Sequence, residues 1–126
     1  MRIIATQNAP ANEIGFLCRF IGVGLMAHLY LMAWAYMYKS QLLALLELNR
    51  RNTVMPLAEV KTFYDRAVVD YPEAYQAYTF AQWLQFILDQ QLAIQYPSQM
   101  IEITHKGKDF LKYLTHWGAD ANTKRN

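Results

Sequence analysis

The sequence predicts a mainly α-helical protein that has one short β-hairpin and a long hydrophobic helix at its start. Three observations support this fold class. Residues 14–38 are almost all apolar, the following residues repeat apolar side chains at helical spacing, and two short runs near residue 97 look like strands. We predict four segments: a polar N-terminus (1–13), a hydrophobic helix (14–39), a helical domain (40–117) and a flexible polar tail (118–126).

The apolar run is long enough to cross a membrane. Its 25 residues hold only two strongly polar side chains, Arg19 and His28, and a bilayer core needs about 20 apolar residues in a helix. Arg19 lies near the start of the run, where a long side chain can reach the lipid headgroups. We therefore predict a transmembrane helix whose anchoring side chains are Phe20, Ile21, Val23, Leu25, Leu29, Leu31, Trp34, Tyr36 and Tyr38.

Basic residues beside this helix predict its orientation. Lys39, Arg50 and Arg51 follow it, whereas the N-terminal flank offers only Arg2. The positive-inside rule therefore predicts an inner-membrane protein with a single span and a cytoplasmic C-terminal domain. In the bilayer, His28 would be a polar site that faces a partner helix or a polar cavity, so a homo-oligomer is one arrangement that satisfies it.

A second interpretation places the same helix in the cytoplasm. Its apolar residues cover all sides, so a soluble protein would have to bury it completely, and a chain of this size has little mass with which to do so. A second copy of the chain could supply the cover. The sequence leaves both interpretations open, a membrane span and a helix buried between two subunits.

Helices and one hairpin are predicted behind the hydrophobic segment. Apolar periodicity predicts helices over residues 40–52, 57–69, 73–91 and 105–117. Ser40 or Gln41 is expected to cap the first of these, which either stands alone or continues the hydrophobic helix, and Thr104 is expected to cap the last. Residues 92–96 and 100–104 are predicted strands on either side of the turn at Pro97.

This order of elements resembles a winged helix-turn-helix domain over about residues 41–117. The resemblance is strongest from residue 79 to residue 114, where a helix leads through a wing into the last helix. The junction between the wing and that helix has an Ile-x-Ile-Thr-x-x-Gly pattern followed by two apolar residues, at Ile101, Ile103, Thr104, Gly107, Phe110 and Leu111. The resemblance implies that the helix within residues 79–91 is the one that winged-helix regulators place in the major groove of DNA.

That helix lacks the basic residues on which DNA binding depends. Its only charged residue is Asp89, and although Gln82 and Gln85 are of the type that contacts adenine, phosphates and guanine require Arg or Lys. We therefore expect a protein partner in preference to nucleic acid. The alternative is a soluble homodimeric transcription regulator that contacts DNA through its wing or through the lysines of its last helix, Lys106, Lys108 and Lys112.

The sequence has no pattern that indicates catalysis or a cofactor. Cys18 is the only cysteine, which excludes a disulfide within the chain and a cysteine-based zinc site. His105 and His116 are too far apart on one predicted helix to bind the same metal ion. We also find no nucleophile motif, no glycine-rich phosphate loop and no paired carboxylates. The sequence thus predicts a non-enzymatic, membrane-anchored module for protein interaction or regulation.

Overall fold

The computed structural model describes residues 28–118, and within this range the chain is mainly helical with one small antiparallel sheet. The chain divides into two compact units, Met1–Ala35 and Tyr36–Asn126. The described part of helix α1 is residues 28–36, which lie in the first unit except for the last residue. The second unit contains α2 (Lys39–Arg51), β1 (Met55–Pro56), α3 (Leu57–Asp70), α4 (Phe80–Asp89), β2 (Ala93–Gln95), β3 (Met100–Ile103) and α5 (His105–His116).

Only the end of the predicted hydrophobic helix lies within the described residues. There the helix ends at residue 36, three residues earlier than predicted, and α2 begins separately at Lys39. The interruption occurs because Tyr38 adopts an extended conformation (φ −83°, ψ 155°) and occupies the N-cap position of α2. Among residues 28–118, none of the helices is both long enough and apolar enough to cross a membrane.

Helices α2 and α3 form where apolar periodicity predicts them. The buried side of α2 carries mostly aliphatic side chains, and the helix ends at Asn52, whose backbone is left-handed (φ 53°). Asparagine is one of the few residues other than glycine that tolerates this conformation. The N–H of Asn52 donates to the carbonyl of Leu48 at 3.0 Å, which closes the last turn. The predicted helix over residues 57–69 is confirmed as α3.

The third predicted helix, residues 73–91, was wrong in its first turns. Residues 72–77 form turns, and α4 begins only at Phe80. The turns are closed by hydrogen bonds between residues three apart, such as the bond from the N–H of Ala74 to the carbonyl of Tyr71 (3.1 Å). Thr79 starts α4 because its side chain accepts the N–H of Gln82, while the side chain of Gln82 accepts the N–H of Thr79.

The predicted hairpin is present, but the sheet contains a third strand that was not predicted. Strands β2 and β3 pair antiparallel, and their turn ends at Gln99, which has φ 63°. Strand β1 pairs with the other side of β3, through Met55 opposite Ile101, so the strand order is β1-β3-β2. With two residues, one of them Pro56, β1 is too short to show the alternation that identifies a strand.

The last helix packs closely on the start of the hairpin. As predicted, Thr104 caps α5, since its hydroxyl accepts the N–H of Gly107 at 2.9 Å. Gly107 lies so close to Leu92, the residue before β2, that a Cβ there would be 2.2 Å from the carbonyl oxygen of Leu92. The fully buried members of the second unit's core include Leu42, Leu45, Leu48, Met55, Val60, Trp83, Ile87, Leu92, Ile101 and Phe110.

Candidate functional site

Two polar side chains are buried at the start of α2. Ser40 is 5% exposed and Gln41 is fully buried, in a helix whose other buried residues are apolar. The Ser40 hydroxyl accepts the indole N–H of Trp83 at 2.9 Å and shares a 2.6 Å hydrogen bond with the hydroxyl of Tyr75. Because buried polar groups are costly unless they are hydrogen-bonded, these contacts fix α4 and the turn segment (residues 72–79) on α2.

Gln41 uses both ends of its amide group. Its Nε2 donates to the hydroxyl of Tyr78 at 3.0 Å and to the carbonyl of Trp83 at 2.9 Å. Its Oε1 accepts the N–H of Tyr38 at 2.7 Å. One side chain therefore joins the residue before α2, the turn segment and the first half of α4.

Six aromatic rings surround these two polar residues. We call them the aromatic cluster: Tyr38, Tyr64, Tyr75, Tyr78, Phe80 and Trp83. Tyr38 packs 5.2 Å from Tyr75 and 5.1 Å from Tyr78 between ring centroids, in tilted and edge-on arrangements that aromatic pairs favour. Tyr64 lies 5.7 Å from Tyr75 and donates its hydroxyl hydrogen to the carbonyl of Tyr78 at 2.6 Å. Burial raises the pKa of Tyr75 and of Tyr78, although the hydrogen bonds with Ser40 and Gln41 partly oppose it.

A pocket of about 460 Å³ opens beside the aromatic cluster, between α2 and α3. Its charged residues are Lys39, Arg66 and Asp70. The guanidinium of Arg66 and the carboxylate of Asp70 are 3.7 Å apart, which is a loose ion pair with both side chains exposed. The other lining residues are Ser40, Leu43, Thr62, Phe63, Ala67, Tyr71 and Tyr75.

The outer face of α4 carries the glutamines that were singled out from the sequence. Gln82 and Gln85 are both exposed, as are Ala81 and Asp89. Both glutamines are occupied within the helix: Gln82 completes the cap with Thr79, and Nε2 of Gln85 donates to Asp89 at 2.7 Å. The face therefore presents amide groups and one carboxylate, with no cation.

The three lysines of α5 do not share one face. Lys108 and Lys112 are four residues apart and lie on the same side of the helix, whereas Lys106 is about 200° around the axis from Lys108. The ammonium of Lys108 donates to the side-chain oxygen of Asn52 at 2.8 Å. The structure thus brings together two of the three cations that were predicted as a nucleic-acid surface.

Residues predicted to anchor the chain in a membrane fall into three groups. Phe20, Ile21, Val23 and Leu25 lie outside the described residues. In α1, Tyr36 is 62% exposed, Leu29 and Leu31 are each 40% exposed, His28 is exposed and Trp34 is half-buried. Tyr38 belongs instead to the aromatic cluster of the second unit.

The arginines that set the predicted orientation are paired with carboxylates. Arg50 and Arg51 both donate to Glu47, at 2.6 and 2.8 Å, and Arg51 also donates to Glu59. These hydrogen bonds lower the pKa of Glu47 to about 2. The positive charge that follows the hydrophobic segment is therefore partly neutralised where it meets these carboxylates.

No metal-binding group of three or more His, Cys, Asp or Glu side chains occurs within residues 28–118. His105 lies 3.4 Å from Asp109 on the surface of α5.

Comparison with protein-family models, with curated proteins and with solved structures finds no match to this chain.

Sequence reasoning missed the polar residues that organise the site. Gln41, Leu45 and Leu48 are spaced i, i+4, i+7, so the apolar stripe of α2 extends to a glutamine, and that was a signal for a buried amide. Tyr71, Tyr75 and Tyr78 are spaced i, i+4, i+7, which would place them in one strip if the segment were helical. The segment is not helical: Tyr75 lies within the turns of residues 72–77 and is buried, whereas Tyr71 and Tyr78 flank those turns and are exposed and half-buried.

Proposed function

We propose that this chain is a membrane-anchored winged-helix protein whose domain, about residues 40–117, binds another protein in the cytoplasm. The order α2-β1-α3-α4-β2-β3-α5 supports the fold, because a helix-turn-helix followed by a hairpin has this succession of elements. The strand order β1-β3-β2, with the hairpin at one edge, also agrees with a wing. Fold alone does not decide what such a domain binds.

The proposal of a protein partner rests on the charge of the outer face of α4. Affinity for DNA depends on cations that neutralise phosphates, and this face has none. Asp89 would repel the backbone, and an engaged Gln85 amide would have to leave Asp89 before it could bond an adenine. A face that carries mostly uncharged side chains is compatible with a protein interface, where charged residues are depleted and amide groups can be hydrogen-bonded by the partner.

A direct test compares DNA and protein at the same surface. Fluorescence anisotropy of a labelled duplex, about three helical turns long, should show no binding at physiological salt. A photo-crosslinking amino acid at Gln85 should give discrete protein adducts in cells, and the same group at the exposed Thr115 of α5 should not. Duplex binding with a steep salt slope, flattened when Lys108 and Lys112 are replaced by Gln, would instead support the soluble DNA-binding regulator.

Membrane anchoring rests on the length and composition of residues 14–38. The expected result is that the full-length chain stays in the membrane pellet during carbonate extraction. A variant with Leu25→Asp and Leu29→Asp should move to the supernatant, because each carboxylate costs about 3 kcal/mol more than leucine near the centre of a span. Release of the unmodified chain into the supernatant would refute the anchor.

A further inference from the structure

The pocket between α2 and α3 has the size of a small-molecule site. Its volume of about 460 Å³ falls in the range of roughly 300 to 1,000 Å³ that is usual for such sites. All of its lining residues belong to the unit Tyr36–Asn126, so the pocket is formed by one compact unit. It shares no residue with the outer face of α4, so a ligand bound here would be distinct from the proposed protein partner.

The lining combines apolar walls with positive charge. Leu43, Phe63, Ala67 and the ring of Tyr75 supply surfaces on which an apolar group can pack. Aromatic and aliphatic walls with a few polar groups are what distinguish ligand pockets from crevices filled with water.

The cations at the pocket have hydrogen-bond donors to spare. Within residues 28–118 the ammonium of Lys39 forms no ion pair or hydrogen bond. The Nε of Arg66 is 3.7 Å from Asp70, beyond hydrogen-bond range, and its side chain is 84% exposed. Two cations and one carboxylate leave the lining with a net positive charge.

We infer that this pocket binds a small amphipathic anion, namely an aromatic ring or short hydrocarbon body that carries one carboxylate. The body packs against Leu43, Phe63 and Tyr75, and the carboxylate is bound by Lys39 and Arg66. A guanidinium can bond both oxygens of a carboxylate at once, which favours a planar anion over a halide or a neutral compound. Because Asp70 holds Arg66 only loosely, the guanidinium can turn to a ligand without breaking a hydrogen bond.

Two probes of nearly the same shape, one anionic and one neutral, test the inference. Calorimetric titration of the full-length chain should show saturable binding of 2-naphthoate, with a dissociation constant of about 0.1 to 1 mM for a probe of this size. The uncharged 2-naphthamide should bind about tenfold more weakly. No saturable binding of 2-naphthoate up to about 5 mM, or equal affinity for the two probes, would overturn the inference.

A matched pair of tryptophan variants locates the site. Leu43→Trp fills the pocket and should reduce 2-naphthoate affinity by more than tenfold. Leu46→Trp is its control, because Leu46 lies one turn further along α2, has a similar exposure (41% against 38%) and does not line the pocket. Equal affinities in the two variants would place the bound probe elsewhere and overturn the inference.

Charge variants test the basic residues separately from the pocket's shape. Lys39→Gln combined with Arg66→Gln should weaken 2-naphthoate about tenfold and leave 2-naphthamide unchanged. Lys61→Gln is the control, since Lys61 is an exposed lysine of α3 outside the pocket. If Leu43→Trp does not fold, an NMR titration of the unmodified protein with 2-naphthoate decides the location. Changes in the backbone amide chemical shifts of residues 63, 67 and 75 support the inference, and their absence contradicts it.

Discussion

Replacement of Gln41 by leucine tests whether one buried amide holds the site together. Leucine is slightly larger than glutamine and its helix propensity is similar, so the change removes hydrogen bonds without opening a cavity. The substitution deletes the bonds to Tyr38, Tyr78 and Trp83, which measure 2.7, 3.0 and 2.9 Å. It therefore isolates the polar contribution of a fully buried side chain.

The expected loss of stability is calculated from these contacts. Each deleted bond costs about 1 to 3 kcal/mol when its partner remains buried, and the lower part of that range applies here because two of the three bonds are only partly buried. Burial of leucine in place of an amide recovers up to about 2 kcal/mol. We expect the free energy of unfolding to fall by about 2 to 4 kcal/mol.

Urea denaturation of the full-length chain under one fixed solution condition measures this loss, with tryptophan fluorescence as the signal. The midpoint should fall while the slope stays unchanged, which identifies a change in stability and not in the denatured state. Gln85→Leu is the matched control, since the same substitution at an exposed position should change stability by less than about 0.5 kcal/mol. Equal midpoints for the two variants would refute the role given to Gln41.

Three further measurements test other contacts. Gly107→Ala should destabilise the protein by about 1 to 3 kcal/mol, because the alanine Cβ would be 2.2 Å from the backbone oxygen of Leu92. This loss is expected despite the better helix propensity of alanine. An unchanged urea midpoint would contradict this contact. Gln99→Gly should raise stability by about 1 kcal/mol, because it relieves a left-handed backbone (φ 63°), and a loss on the same assay would refute that conformation. Stability should also decline as pH rises above about 10, because the raised pKa values of Tyr75 and Tyr78 mean that the folded protein holds protons that the unfolded chain has released. Tyr75→Phe should reduce this decline. An identical pH profile for the variant and the unmodified protein would contradict the role given to Tyr75.

Periodicity and caps were sufficient to predict much of the second unit. Helix α3 and the hairpin follow from local patterns, and Thr104 was recognisable as a cap because a hydroxyl residue directly precedes an amphipathic run. Such signals involve residues within one or two turns of each other. They remain visible in the sequence whatever the rest of the chain does.

Contacts between distant residues were not predictable in the same way. Ser40 bonds Tyr75 and Trp83, which are 35 and 43 residues away along the chain, and no local pattern indicates such pairs. The segment from Pro72 to Thr79 has the composition of a helix, yet its tyrosines pack around α2 in turns, so tertiary contacts override local preference. Strand β1 likewise exists only because β3 is beside it.

The two adjacent polar residues of α2 connect the pocket with α4. Tyr75 lines the pocket and bonds Ser40, which in turn accepts the indole N–H of Trp83 in α4. Trp83 is fully buried, so α4 cannot shift without breaking this bond or the bond from Gln41 to its backbone. A compound that displaces Tyr75 in the pocket would therefore act on the position of α4. Because one such hydrogen bond contributes about 1 kcal/mol, this coupling can change the affinity of a partner on α4 by about fivefold.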